Sequence, residues 1–252
     1  MKQYLLPILT ILIILFIWQL TVIFFHIETW ILPAPTQIIN SFWQSRSLIF
    51  YHLVPTIFEA IIGLTGAVFV AIFIAVLMEK FKMMRKIIYP FLIFSQTVPF
   101  IILAPLLTLW FGFGLLPKII IISLVCFFPM TINLIDGFQS VDPAILRLLS
   151  SMGANQKQMF QWVKWPASLP AFFSGLRIAA TYSILGAVVS EWMGADRGLG
   201  ILLIRSTKSY LTDRVFATIG IIIVLSMAAV LLVEIIARIS IPWHYYKLTK
   251  KI

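Results

Sequence analysis

Apolar residues in this chain fall in long uninterrupted runs separated by short polar stretches, and they do not alternate with polar ones. Runs of roughly 20 apolar residues match the hydrocarbon thickness of a bilayer at the 1.5 Å rise of a helix. In lipid the backbone must satisfy its own hydrogen bonds, so the runs predict membrane-spanning helices. Six are marked, at about 5–25, 56–78, 87–111, 117–137, 172–193 and 215–240. The fold class expected is all-α, with residues 1–252 forming one transmembrane domain. The first run follows Met1-Lys2 and continues to Phe25 without a small-x-small cleavage site, so it reads as a retained span rather than a signal peptide.

Details within the runs refine this picture. Ile57 to Met78 holds one charge, Glu59. The third run contains Pro99 and Pro105, and proline removes a helical hydrogen bond and kinks the helix, so this span is predicted to be broken or strongly bent. Glu234 and Arg238 are four apart on one helix face, where they can pair. Between the first two runs, Leu32-Pro33-Ala34-Pro35-Thr36 reads as an extended turn, followed by a short amphipathic stretch around Gln37–Trp43.

Composition agrees: 61% of residues are hydrophobic and 11% charged, against about 25% charged in a soluble domain. The formal charge of +10 would raise nucleic-acid binding in a soluble protein. Here the basic residues sit between spans, as the positive-inside bias requires. With the N-terminus inside, thirteen Lys and Arg fall on the cytoplasmic side, including Lys2, Lys80, Lys82, Arg85, Lys86, Lys250 and Lys251. Six fall on the other: Arg46, Lys118, Arg197, Arg205, Lys208 and Arg214. N-in and C-in follow. Cys126, the single cysteine, lies in an apolar run and reads as packing. His26, His52 and His244 read as scattered outside the spans with no partners at metal spacing, and no metal or cofactor is expected.

The longest segment assigned to the cytoplasm, residues 139–170, has a distinct grammar. Asp142-Pro143 starts a helix, Asp capping the free N–H groups and Pro suiting the first helical position. Gly153 ends it, where the chain must turn left-handed. Asn155 can cap a second helix over Gln156–Val163, which Trp165-Pro166 is expected to stop, with Pro170 following. Ile145, Leu146, Leu148, Leu149 and Met152 are apolar on a helix facing solvent, which calls for a partner.

This segment resembles the EAA motif of ABC importer permeases, which reads Glu-Ala-Ala, three residues, Gly, nine residues, Ile-x-Leu-Pro. Gly153 and Pro166 match at that spacing and Val163 stands for Ile, while Arg147-Leu148-Leu149 replaces Glu-Ala-Ala and Trp165 replaces Leu. The acidic first residue of the motif is absent, and Arg147 stands in its place. Leu32-Pro33-Ala34-Pro35, Gln96-Thr97-Val98-Pro99, the Pro105 to Gly114 stretch and Gly194-Ala195-x-x-Gly198-Leu199-Gly200 are similar to the nitrate/sulfonate/taurine branch, which includes permeases for thiamine-precursor pyrimidines.

The resemblance implies a type I importer permease fold in a bacterial cytoplasmic membrane. It implies two copies of the chain and two ATPase subunits in the complex, with an extracytoplasmic solute-binding protein delivering cargo and lipid surrounding the spans. It further implies that residues 143–153 form a coupling helix in a cleft of the ATPase. Ile145, Leu146, Arg147, Leu148, Leu149, Met152, Gly153, Ala154 and Pro166 are then the coupling residues. The stretch Ser209–Ala217 has the look of the pyrimidine group; small anions are the other cargo class.

Candidate path residues are Gln96, Pro99, Pro105, Glu59 and Glu191. Broken helices line transport paths because freed backbone groups need a polar cavity; packing kinks are the plainer reading. Glu59 and Glu191, near the outer ends of spans, either contact cargo or reach interfacial water. Arg177 reads as an anchor snorkelling to the cytoplasmic headgroups. An intramembrane protease is excluded by the lack of a nucleophile with a base or of paired aspartates in a span. No phosphate loop of the Gly-x-x-x-x-Gly-Lys-Ser/Thr type is present, so no chemistry is expected of this chain and ATP hydrolysis falls to another subunit. An ion-coupled secondary transporter or a channel is the rival class. Such proteins bury coupling carboxylates or polar rings near the midplane, and this sequence has almost none.

Overall fold

The computed structural model describes residues 2–249; Met1 and residues 250–252, with Lys250 and Lys251 of the basic count, lie outside the described residues. Among the described residues every regular element is helical. Helix α1 spans Lys2–Phe24, α2 Pro35–Lys80, α3 Lys82–Ser95, α4 Phe100–Phe111 and α5 Leu115–Gln139. Helix α6 follows at Pro143–Ser151 and α7 at Gln156–Met159; then come α8 at Trp165–Glu191, α9 at Leu199–Lys208, α10 at Thr212–Ser240 and α11 at Pro242–Thr249. Among the described residues five helices are long and apolar enough to cross a membrane, or six if the bent pair α3 and α4 counts as one span.

The core is the α5–α8 pair, with α2 packed along it and α10 on the flank. Hydrophobic association gives helices in lipid little, so close van der Waals approach holds them together, and that favours small residues at the contacts. Ala60, Gly63, Ala67, Ala71 and Ala75 form such a stripe on α2, and its alanines are 2% exposed or less. A Cβ at Gly175 on α8 would lie 2.6 Å from the Pro129 carbonyl oxygen of α5, so only glycine permits that crossing. By contrast only 6% of the apolar stretch of α1 is buried in protein and 11% of that of α10, against 56% along α8. The poorly covered helices present leucine, isoleucine and phenylalanine outward, as a lipid-facing surface does.

Several expectations change in detail. The amphipathic stretch at Gln37–Trp43 is no separate element: it is continuous with the second span in the 46-residue α2, which runs through Pro55. At 1.5 Å per residue α2 is about 69 Å long, well beyond the roughly 40–45 Å of a bilayer with its headgroups. The third span is broken as expected, with a 101° bend between α3 and α4. The break falls at Gln96–Pro99, with Pro99 as N-cap of α4, while Pro105 sits inside that helix. The Glu234–Arg238 pair forms at 3.0 Å.

Trp165-Pro166 does not stop the helix. The chain widens into a π-helical turn over Phe160–Lys164, in which Trp165 N–H reaches the Phe160 carbonyl, and α8 runs on through Pro166 and Pro170. A proline ring clashes with the carbonyl four residues earlier; one wide turn relieves that clash and accommodates the missing N–H. Arg177 is not a headgroup anchor. It lies between helices, donating to Glu234 at 3.0 Å and to the Tyr245 hydroxyl at 3.1 Å, and so ties α8 to α10 and α11. His52 lies within α2 and is 3% exposed, not outside the spans.

Candidate functional sites at the two ends of the bundle

Helix α6 and the turn after it carry the coupling candidates. Asp142 Oδ1 accepts from Ala144 N–H at 2.8 Å, so the start is capped as the sequence predicts. At the other end Gly153 has φ +88°, its N–H reaches the Ser150 carbonyl at 3.0 Å, and Ala154 N–H reaches the Leu149 carbonyl at 3.0 Å. These two bonds form a Schellman closure, which needs the left-handed residue that glycine supplies. Asn155 then opens α7 with reciprocal bonds to Gln158 at 2.9 and 2.8 Å. The hairpin is therefore closed at each joint by local bonds.

Its faces divide clearly. Ile145, Leu148 and Met152 are 47%, 61% and 74% exposed, Leu146 and Leu149 are half-buried, and Arg147 is exposed. Pro166 lies apart from this face, partly buried at the start of α8. The base of the hairpin is anchored: Lys164 pairs with Glu79 at the end of α2, and Phe138, Phe160 and Trp165 stack with ring centroids 5.3 to 6.3 Å apart. An apolar helix so held can pass a displacement from a partner into α2, α5 and α8.

The second site lies near the start of α5, the end opposite α6. Glu59 and Glu191, singled out separately in the sequence, share one buried cluster. Glu191 is 0% exposed; its Oε1 accepts from the Thr56 hydroxyl at 2.6 Å and its Oε2 from Gly200 N–H at 2.6 Å. Thr56 also accepts from Leu199 N–H at 2.9 Å, and His52 Nδ1 from Gly198 N–H at 3.0 Å. Three consecutive backbone N–H groups at the start of α9 are thus satisfied by side chains of α2 and α8. Gly198 has φ +137°, and a Cβ there would meet the Glu191 carboxyl at 2.1 Å. Both carboxyls are buried rather than exposed at a span end, Glu59 being 4% exposed. Glu59 instead forms an ion pair with Lys118 at 2.5 Å, and both line a cleft of about 500 Å³.

Gln96 lines a different cleft of about 390 Å³ at the α3–α4 break, with Phe100, Phe127 and Tyr182 among its walls. Pro99 caps α4 beside it, and Pro105 lines neither cleft. The sequence therefore supplied the two glutamates but missed Lys118, Thr56 and His52. The available signal was weak: Lys118 and Glu59 are lone opposite charges just inside two apolar runs, and such charges pair.

Comparison with known proteins places this geometry. A family model described as "Binding-protein-dependent transport system inner membrane component" matches residues 67–241, more than half of the chain. The formylaminopyrimidine transport permease protein ThiX of Halalkalibacterium halodurans is 35% identical over 96% of this chain and 97% of its own length. The putative aliphatic sulfonates transport permease protein SsuC of Bacillus subtilis is 30% identical, covering 97% and 88%. The taurine transport system permease protein TauC of Escherichia coli is 28% identical, covering 96% and 91%. Among solved structures, a chain described as "Crystal structure of an amino acid ABC transporter with histidines" superposes with a TM-score of 0.65 at 18% identity, over 79% of this chain and 97% of that one. That likeness concerns the fold.

Proposed function

The chain belongs to the family of inner membrane components of binding-protein-dependent transport systems, a multi-pass permease subunit of an ABC importer, and from that premise we propose its cargo, its partners and its working parts. The cargo is a formylaminopyrimidine-type precursor. The 35% identity to the pyrimidine permease, along nearly the full length of both chains, supports this over the sulfonate and taurine permeases at 30% and 28%.

In this reading residues 1–252 act as one transmembrane domain, and two copies span the cytoplasmic membrane with both termini inside. An ATPase subunit sits under each copy, and an extracytoplasmic binding protein hands over cargo from the other side. Helix α6 is the coupling helix, with Ile145, Leu148 and Met152 seated in the ATPase and Gly153 setting the angle of the hairpin. The observation that carries this is the exposed apolar face of a nine-residue helix capped at both ends and anchored through Lys164 and Glu79. Solvent-side apolar faces of this kind mark a covered surface.

Two measurements on one reconstituted complex test the reading. Proteoliposomes holding this chain, its ATPase and its binding protein are expected to take up labelled formylaminopyrimidine with ATP, and an excess of ethanesulfonate should not compete. Uptake of ethanesulfonate instead would transfer the cargo to the anion class, and ion-driven uptake without the ATPase would end the reading. For orientation, Cys126 is buried and is the only native cysteine, so Leu148→Cys gives a single reporter. It should react with an impermeant maleimide only in inverted vesicles lacking the ATPase, and labelling in intact cells would place α6 on the wrong side.

A further inference from the structure

The cleft at the α3–α4 break lies at the depth of the bilayer centre. Gln96 follows Lys86, the last cation of α3, by ten positions, which is about 15 Å of rise and half of a hydrocarbon core of about 30 Å. Phe127, in another of its walls, is the middle residue of α5. Polar groups at that depth face a bundle interior or a cavity, because lipid offers them no partner. Among the described residues the Gln96 amide and the Tyr182 hydroxyl bond to no other residue, whereas the neighbouring Ser95 and Thr97 hydroxyls return to the Leu92 and Phe94 carbonyls at 2.7 and 2.8 Å. Two polar groups with unspent donors and acceptors therefore line one cleft in mid-membrane.

The rest of the cleft is apolar and aromatic. The rings of Phe100, Phe127 and Tyr182 line it, and among the described residues none of its walls carries a charge. Its volume of about 390 Å³ falls within the roughly 300–1,000 Å³ of small-molecule clefts. A carboxamide presents an N–H donor beside a carbonyl acceptor, so it fits a planar edge that offers the same pair in reverse. Glutamine reads the edge of adenine in this way. Tyr182 adds a hydroxyl that can donate and accept. An anion would meet only neutral donors here, and moving an unpaired charge out of water costs more than such donors return.

Resting on the import reading above, we propose that this cleft is a cargo subsite within the permease, taking a flat uncharged heteroaromatic solute. Its ring packs against the three aromatic side chains, and its N–H group and adjacent ring nitrogen pair with the Gln96 amide. The amino edge of an aminopyrimidine has this pattern, its exocyclic N–H group lying next to a ring nitrogen. A simple sulfonate has neither a ring nor a donor, and its charge finds no counter-charge in the walls. Gln96 is then the residue that reads the edge, and Tyr182 supplies the second polar contact. The subsite selects between the two cargo classes that the sequence leaves open.

The test uses the complex of this chain with its ATPase in lipid nanodiscs, without the binding protein, and reads binding by ligand-observed NMR. Three solutes are titrated: formylaminopyrimidine, an N-methylated derivative of it that lacks exocyclic N–H, and ethanesulfonate. The parent pyrimidine is expected to saturate, the methylated one to bind roughly tenfold more weakly, and ethanesulfonate to give no saturable signal. Gln96→Leu, which keeps the bulk and removes the amide, should weaken the parent roughly tenfold and erase its advantage over the methylated compound. Tyr182→Phe, which removes one oxygen and keeps the ring, should weaken it roughly threefold, and it decides the matter if Gln96→Leu fails to assemble. Unchanged affinity in the assembled variants, or saturable binding of ethanesulfonate, overturns the subsite. If the wild-type complex transports the pyrimidine in proteoliposomes yet shows no saturable binding, as it would were a second copy of the chain filling the cleft, the subsite falls while the import reading stands. If the wild type neither binds nor transports it, both fall.

Discussion

The two ends of the bundle are built on opposite principles. At one end α6 keeps its polar groups paired locally, through Asp142, Gly153 and Asn155, and leaves its apolar side chains uncovered. At the other end the polar side chains themselves are buried, and those of Thr56, Glu191 and His52 reach across the fold to hold the start of α9. The first is an uncovered apolar face on a hairpin that its own local bonds hold stiff. The second is an internal fastening whose bonds join buried side chains, where an unmade one costs most. Damage to the first should therefore show in coupling, and damage to the second in stability.

The sharpest way to break that contrast is Glu191→Ala. It strands the Gly200 N–H and removes the shorter of the two acceptors of the Thr56 hydroxyl, leaving the His52 carbonyl, in a fully buried site, and should lower stability by on the order of 3 kcal/mol. Thermal unfolding of the purified chain in detergent reads this out, and a normal melting curve would mean that water enters the cluster freely. Gly153→Val comes next. A β-branched residue at φ +88° costs roughly 1–2 kcal/mol of local backbone strain. Nothing lies within 4 Å of the added Cβ, so the global melting temperature should hold while ATPase stimulation by loaded binding protein falls severalfold. Asp142→Ala has the smallest expected effect. Losing the N-cap costs about 1 kcal/mol and frays the first turn of α6, which should show as faster amide exchange at Ala144 and Ile145 with transport reduced but present. A stability loss from Asp142→Ala comparable to that of Glu191→Ala would erase the distinction between the two ends.

The same contrast explains what the sequence discloses. The α6 hairpin is legible because each of its bonds joins residues within a few positions, so Asp-Pro, Gly and Asn announce it directly. The spans are legible because lipid demands long apolar runs. The outer cluster is hidden because its bonds join positions as far apart as His52 and Gly198, 146 residues along the chain, and each member alone looks ordinary. Glu59 and Glu191 stood out only as charges in apolar runs, with no sign that they meet. Trp165-Pro166 misleads for a different reason. Proline as a stop is a rule about α-turns, and a single π turn at Phe160–Lys164 satisfies the ring by other means. Arg177 reads as a headgroup anchor for a similar reason, since a sequence does not say that Glu234 and Tyr245 stand opposite it.

The long helix α2 connects these two ends in one piece. Glu79, near its last residue, is tied to the π turn behind α6, while Thr56 and Glu59 near its middle belong to the opposite cluster. Between them lie about 30 Å of helix with no proline. A rod of that length tilted by about 5° at one end swings by roughly 2.6 Å at the other, close to the span of a single hydrogen bond. A nudge that small below would suffice to unmake a contact above, with no chain of intermediaries to carry the message.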